Sequence, residues 1–113
     1  MSAKQQPLVT QANLKLASPR LRLIKAGAEV APGVTTFDTA GHTPGHMSVH
    51  ISSGSEEMLL TGDVVVDTAI SFLHPEWAFG FDLDVPLATK ARMAFLDRAA
   101  AEARSARGER LPP

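Results

Sequence analysis

The sequence of 113 residues contains no cysteine and no long apolar run. The lack of cysteine excludes a disulfide framework, a thiolate metal site and a cysteine nucleophile. No apolar run approaches the roughly 20 residues that a membrane-spanning helix needs, and the first residues lack the hydrophobic core of a signal peptide. We therefore expect a soluble, cytoplasmic protein without a membrane partner.

The chain also lacks a strong excess of charge of either sign, because its formal net charge is −1. This near-neutrality gives no electrostatic basis for a nucleic-acid partner or an anionic membrane surface. Acidic residues predominate up to residue 84 and basic residues after it, but acidic residues interrupt the basic ones. With 44% apolar and 20% charged residues, the composition is that of a globular chain, and the length allows one small domain.

The pattern of apolar residues predicts an α/β fold in which four or five short strands come first and one long C-terminal helix follows. Alternation of polar and apolar residues and runs of β-branched residues indicate the strands. A capping aspartate and an apolar stripe indicate the helix. The predicted elements are strands at 20–24, 34–38, 47–52 and 58–61, with 64–66 as an extension of the last strand, an irregular stretch at 68–84, and a helix over 85–104.

These elements divide the chain into three segments. Residues 1–19 are polar and contain two prolines, so we expect a loosely ordered segment with one helical turn near residues 12–17. Residues 20–107 form the folded domain, and residues 108–113 form a tail that ends in Pro-Pro.

The most informative motif is a loop that carries three histidines, His42, His46 and His50, spaced four residues apart. On a helix this spacing would align them for zinc, but Pro44-Gly45 lies between the first two and prevents a helix there. A stiff loop between two strands can hold one imidazole in a fixed position, and a tetrahedral metal site requires such positioning.

Asp63 is the second candidate residue. It follows an apolar strand and a glycine, so its carboxylate should emerge beside the His42 loop. A carboxylate at the end of a buried strand is unfavourable unless it is paired or bound to a cation. Imidazole nitrogen and carboxylate oxygen together suit zinc, manganese or iron, while the alternative role for Asp63 is that of a turn residue.

Gly41-His42-Thr43-Pro44-Gly45-His46 and the later Leu59-Leu60-Thr61-Gly62-Asp63 resemble the third and fourth metal-binding motifs of the metallo-β-lactamase superfamily. The stretch Phe72–Trp77, Phe81–Asp84 and the following helix resemble the branch that contains methyl parathion hydrolase and lactonase-like enzymes. The resemblance implies half of an αββα sandwich and a hydrolase of esters, lactones or phosphotriesters that acts on small molecules with two divalent metals, usually zinc. By position, His42 would bind the first metal, and Asp63 would bridge both metals and act as the catalytic carboxylate.

Two features of the family pattern are missing. No His-x-His-x-Asp-His motif, which supplies four ligands in the family, occurs in this sequence, and Arg110 stands where the last ligand histidine would fall. A guanidinium offers no lone pair to a metal. The chain therefore resembles the C-terminal half of such an enzyme, and we expect it to be inactive or weakly active by itself.

The other polar residues allow two interpretations each. His46 forms a hydrogen bond that shapes the loop or supports the ligands from behind, and His50 points outward from its strand. His74 and Trp77 line a substrate pocket or pack against each other.

The remaining residues have structural assignments. The aspartates at 67, 82 and 84 are expected to be turn or cap residues, and the arginines of the last helix are expected to form its solvated face. Phe72 and Phe95 are assigned to the core.

Two further functions remain open beside the hydrolase. The chain can be a non-catalytic half-domain that associates with another chain, or a truncated remnant without a function of its own. Both interpretations share one physical expectation, an apolar sheet face that the missing half would cover. This face favours self-association or pairing with a partner, and its residues come from Met47, Val49, Ile51, Met58 and Leu60.

Overall fold

Four strands and three α-helices make up most of the regular structure of residues 6–106, the part of the chain that this computed structural model describes. Side chains are described for residues 10–104. The elements are α1 (Gln6–Ala17), β1 (Glu29–Ala31), β2 (Val34–Asp38), β3 (Met47–Ser53), β4 (Glu56–Leu60), α2 (Thr68–Leu73) and α3 (Val85–Ala106), with short 3₁₀ turns at Ser18–Arg20 and Gly62–Val64.

The four strands form one antiparallel sheet in the order β1-β2-β3-β4. Each strand pairs with the next along the chain because the connections are short, with two residues between β1 and β2, two between β3 and β4, and the loop 39–46 between β2 and β3. Phe37 faces Ser48 across β2 and β3, and His50 faces Leu59 across β3 and β4. The predicted α/β class, with four short strands and one long C-terminal helix, is confirmed.

Helix α3 packs on one face of this sheet and forms the core with it. Val64, Val65 and Phe95 are buried there, and the ring of Phe95 stacks on Phe37 with 5.9 Å between centroids. Asp84 caps the helix, because its carboxylate accepts a hydrogen bond from the backbone N–H of Leu87 at 3.0 Å. The sequence placed this cap, this helix and Phe95 correctly.

The opposite face of the sheet is apolar and partly open. Met58 and Leu60 are exposed on it, while Met47, Val49 and Ile51 are half-buried. Strand alternation places them together, since Val49 pairs with Leu60 and Ile51 with Met58. The expectation of exposed apolar residues on this face is confirmed for Met58 and Leu60.

The predicted strand at 20–24 is wrong, and so is the extension at 64–66. Residues 21–25 form no regular element, and Leu21, Leu23 and Ile24 are exposed, because alternation makes a strand only where a neighbouring strand pairs with it. After β4, Gly62 adopts a left-handed conformation with φ +56°, which ends the strand and begins a 3₁₀ turn.

Three elements were not predicted in full. Helix α1 has 12 residues rather than one turn, and β1 lies between the predicted strands at 20–24 and 34–38, where no element was predicted. Helix α2 lies within the stretch predicted to be irregular, and begins where Asp67 accepts a hydrogen bond from the N–H of Ile70 at 2.7 Å. Its six residues are too few to show a clear apolar period. Phe72 on this helix is exposed, so its assignment to the core is wrong.

Some predictions fall outside the described residues, namely the tail at 108–113 and Arg110 within it. The boundaries proposed at residues 20 and 107 stay predictions. None of the described helices combines the length and the apolar character that crossing a lipid bilayer requires.

Candidate metal centre

The loop between β2 and β3 is held in shape by its own backbone. The N–H of Thr39 donates to the carbonyl of His46, and the N–H groups of Gly41 and His46 both donate to the carbonyl of Thr43, all at 3.1–3.2 Å. The carboxylate of Asp38 accepts from the N–H of Ala40 at 2.8 Å. These bonds close a tight loop whose tip carries His42.

The segment before α3 binds the same loop from the side. The N–H of Leu83 donates to the carbonyl of His42 at 3.2 Å, and the N–H of Asp84 donates to the carbonyl of Gly41 at 3.0 Å. Gly41 lies so close to α3 that an added Cβ would stand 2.3 Å from the backbone nitrogen of Ala88. No side chain fits there, so this glycine allows the close approach.

His42 is fixed at one nitrogen and available at the other. Its Nδ1 lies 3.0 Å from Oδ1 of Asp82, and a carboxylate in this position makes Nδ1 the protonated nitrogen. Its Nε2 then carries a lone pair, and lies 3.4 Å from Oδ2 of Asp63. The His42 side chain is 19% exposed and that of Asp63 is 67% exposed.

The distance between His42 Nε2 and Asp63 Oδ2 suits two ligands of one metal ion. Ligand atoms at about 2.0–2.1 Å from a tetrahedral zinc lie about 3.4 Å from each other. The observed 3.4 Å matches this separation and is longer than an ordinary hydrogen bond of about 2.7–3.2 Å. The imidazole and carboxylate present therefore fit a divalent cation such as zinc.

Asp82, which orients His42, belongs to a buried ion pair. Its Oδ2 accepts a hydrogen bond from Nη2 of Arg92 at 2.9 Å, and the two side chains are 0% and 3% exposed. Arg92 donates further hydrogen bonds to three backbone carbonyls, those of Val64, Pro75 and Trp77. The guanidinium thus neutralises the buried carboxylate and ties the loops around the centre to α3.

The sequence interpretation of Asp82 and Arg92 is wrong. Asp82 was expected to be a turn or cap residue and Arg92 to lie on a solvated helix face, yet both are buried. One signal was present in the sequence: Arg92 lies four residues after Ala88 and three before Phe95, on the apolar stripe of the helix. A cation inside an apolar stripe indicates a buried acidic partner.

His46 contacts the backbone of Asp63. Its Nε2 accepts a hydrogen bond from the N–H of Asp63 at 2.9 Å, so the proton is on Nδ1 and is donated to Oγ1 of Thr39 at 2.8 Å. The Thr39 hydroxyl donates in turn to Ser48, and Ser48 to the carbonyl of Thr61. This chain of hydrogen bonds joins the ends of β2, β3 and β4.

His74 and Trp77 lie apart from His42 and Asp63. Their rings stack with 4.0 Å between centroids, and both line a cleft of about 350 Å³ together with Phe79, Asp67 and Arg92. In the described part of the chain, no hydrogen bond or ion pair joins either residue to His42 or Asp63. Arg92 connects the cleft to the centre, because it contacts Asp82 as well as the carbonyl of Trp77.

Comparison with known families identifies one match. The model of the metallo-beta-lactamase superfamily matches residues 6–104, which takes in α1 and nearly all of α3. No curated protein matches this chain.

Several solved structures share this fold. AidC, a dizinc quorum-quenching lactonase solved in complex with a product, is 33% identical over 80% of this chain, with a TM-score of 0.74. AbOPH, a hydrolase of the beta lactamase superfamily, is 31% identical over 77% of the chain with a TM-score of 0.68. A probable metal-dependent hydrolase from Staphylococcus aureus, at 22% identity and a TM-score of 0.68, supports the fold alone. This chain spans 29–31% of the length of these proteins.

Proposed function

The chain belongs to the metallo-β-lactamase superfamily, and on this premise we propose that it forms one part of a metal-dependent hydrolase of esters, lactones or phosphotriesters. The observation that supports the proposal is the pair formed by His42 Nε2 and Asp63 Oδ2, 3.4 Å apart. The first atom has a free lone pair because Asp82 holds the other ring nitrogen. The pair is accessible, since Asp63 is largely exposed.

In this proposal His42 and Asp63 would together hold the divalent metal. Zinc suits a site with one imidazole and one carboxylate, and the solved relative AidC is a dizinc enzyme. A divalent metal supplies Lewis acidity and an activated water as nucleophile. Asp82 and Arg92 keep the imidazole oriented, and His46 fixes the backbone of Asp63 at the hydrogen-bond distance of 2.9 Å.

The cleft beside Arg92 is the proposed binding surface for the substrate. Trp77 and Phe79 give it apolar aromatic walls and His74 adds a polar group, a combination typical of pockets for small organic molecules. An acyl chain or an aryl leaving group would pack on these rings. The lactonase and hydrolase activities of the two solved relatives are consistent with this substrate class.

In this proposal the remaining ligands come from polypeptide outside these 113 residues. A tetrahedral site needs four ligands, and His42 and Asp63 supply two. The sequence contains no His-x-His-x-Asp-His motif, and the chain covers about 30% of its solved relatives, 31% in the case of AidC. We therefore expect the 113 residues by themselves to hydrolyse substrate weakly or not at all.

An alternative proposal is a non-catalytic half-domain that associates with another chain through the open sheet face. The exposed Met58 and Leu60 favour it, because contiguous exposed apolar residues mark association surfaces. This alternative predicts association without a metal requirement, whereas the hydrolase proposal predicts metal binding at His42 and Asp63.

Calorimetric titration with zinc tests the hydrolase proposal. We expect His42→Ala and Asp63→Ala each to weaken zinc binding at this centre at least about tenfold. Asp97→Asn is the matched control, because it removes an exposed carboxylate of α3 and should leave the titration unchanged. Equal zinc binding by the wild-type chain and both variants would refute the proposal.

A further inference from the structure

A second group of side chains that could hold a metal ion lies on the face of the sheet that α3 covers. The group consists of His50 on β3, Glu57 on β4 and Glu102 on α3, and each offers one ligand atom within 4.8 Å of the others. The expectation that His50 points outward is wrong, because its ring lies on this face and its Nε2 is buried. His50 lies four residues after His46, whose ring contacts the backbone of Asp63, and four extended residues span about 14 Å at roughly 3.4 Å per residue. The group is therefore separate from the centre at His42 and Asp63.

The three residues share this position because of strand and helix periodicity. His50 pairs with Leu59 across the sheet, and Glu57 lies two residues from Leu59 on the same face. Glu102 lies three residues after Ala99, which packs on the core, so it extends the sheet-facing side of α3.

The imidazole of His50 has a buried nitrogen without a partner. Among the described residues, Nε2 of His50 is buried and forms no hydrogen bond, although the whole side chain is 22% exposed. Its nearest carboxylate oxygen, Oε1 of Glu57, is 3.7 Å away, which is too far for a hydrogen bond. A buried polar atom left unpaired destabilises the folded state.

Neither neutral form of the ring resolves this arrangement. If Nε2 carries the proton, in the neutral ring or in the imidazolium, it donates to nothing within hydrogen-bond distance, and the imidazolium would form only a long ion pair with Oε1 of Glu57 at 3.7 Å. If Nε2 carries the lone pair, that lone pair faces the Glu57 and Glu102 carboxylates, and the contact is repulsive. A cation between the three groups satisfies the nitrogen and both carboxylates together.

The surroundings of the cluster can accommodate such a cation. Glu57 and Glu102 also line a cavity of about 290 Å³, which leaves room for water to complete the coordination. Arg98 donates to Oε1 of Glu102 at 2.7 Å, but a carboxylate retains further lone pairs for a metal. Arg98 neutralises only one of the two negative charges of Glu57 and Glu102, so one negative charge is left for a divalent ion.

We propose that His50, Glu57 and Glu102 bind a divalent cation, with zinc as the preferred ion. One imidazole and two carboxylates suit zinc, and three protein ligands with one open position form a common arrangement for it. The ligand atoms are up to 4.8 Å apart. Rotation of the two flexible glutamate side chains would shorten these distances to the roughly 3.4 Å of a tetrahedral site. The bound ion ties α3 to the β3–β4 hairpin.

The test uses zinc itself and a chain in which Asp63→Ala weakens the first centre. We expect this chain to bind zinc still, and its thermal unfolding midpoint to rise when zinc is added. Introducing Glu57→Gln should lower the remaining zinc affinity at least about tenfold and abolish the rise in the midpoint. Glu57 is exposed, so this substitution leaves the fold intact.

Glu56→Gln is the matched control, since Glu56 is the neighbouring exposed carboxylate and points to the opposite face of β4. It should leave both measurements unchanged. His50→Gln should act as Glu57→Gln does. The proposal would be overturned if Glu57→Gln left the zinc affinity and the thermal unfolding midpoint unchanged. It would also be overturned if Glu57→Gln and Glu56→Gln lowered the zinc affinity equally. Because this site does not depend on the proposed hydrolase function, its failure is distinguishable from failure at His42.

Discussion

Replacement of Arg92 by alanine removes the buried cation that connects α3 to the candidate metal centre. The substitution deletes the ion pair with Asp82 and the hydrogen bonds to three backbone carbonyls. It also leaves the carboxylate of Asp82, which is 0% exposed, without its counter-charge. Removing one partner of such a buried pair destabilises a protein by about 3–5 kcal/mol.

This loss is large relative to the stability of a domain of this size. The free energy of unfolding of a small domain is about 5–15 kcal/mol in total, so Arg92→Ala should remove about a fifth of it or more. With an m value of about 1–2 kcal/mol per molar urea, the unfolding midpoint should fall by about 1.5–5 M. Urea denaturation followed by circular dichroism measures it.

Two further variants make the experiment specific to the ion pair. Lys90→Ala removes an exposed cation of the same helix and should change the free energy of unfolding by no more than about 0.5 kcal/mol. Asp82→Asn combined with Arg92→Ala should cost less than the sum of the single changes, with a coupling of about 0.5–3 kcal/mol. A loss from Arg92→Ala no larger than that from Lys90→Ala would refute the reasoning.

Two other predictions concern the neighbours of the metal ligands. Asp82→Asn should weaken zinc binding at His42 by about 10–100-fold, because the amide cannot hold the imidazole with a full negative charge; calorimetry that finds an unchanged affinity would contradict this role. Gly62→Ala should lower the free energy of unfolding by more than the roughly 1–2 kcal/mol of left-handed strain, because its Cβ would stand 2.7 Å from Nε2 of His46. Gly54→Ala is the control, because Gly54 has a similar φ of +61° but lies in open space, so this variant has the backbone strain alone. If urea denaturation gave the same loss of unfolding free energy for both variants, the contact with His46 would be unimportant.

The sequence predicted the elements that local patterns determine. Strands β2 and β3 alternate and contain β-branched residues, and α3 has a cap and a long apolar stripe, so each was found close to its observed bounds. The exposed segment at 20–24 has the same alternation without a neighbouring strand, so local pattern alone gave the wrong result there.

The candidate site was predictable where one motif carries it and not where distant residues meet. The His42 loop and Asp63 were recognised from their glycine and proline neighbours, and the structure brings their side chains to 3.4 Å. Asp82 is 40 residues from His42 along the chain, and no local pattern links the two. Only the position of Arg92 on an apolar stripe indicated that a buried acid was needed.

The side chains of His42 and Asp63, the two proposed ligands of the candidate centre, differ in how firmly the structure holds them. The imidazole of His42 is anchored through Asp82 to a guanidinium that four acceptors hold, whereas the carboxylate of Asp63 extends into solvent from a fixed backbone nitrogen. Ions of different radius would therefore be accommodated by rotation of the carboxylate while the ring stays in place. The preference for one ion over another would therefore depend on the carboxylate of Asp63, which can rotate. The fixed imidazole of His42 would determine only the position of the ion.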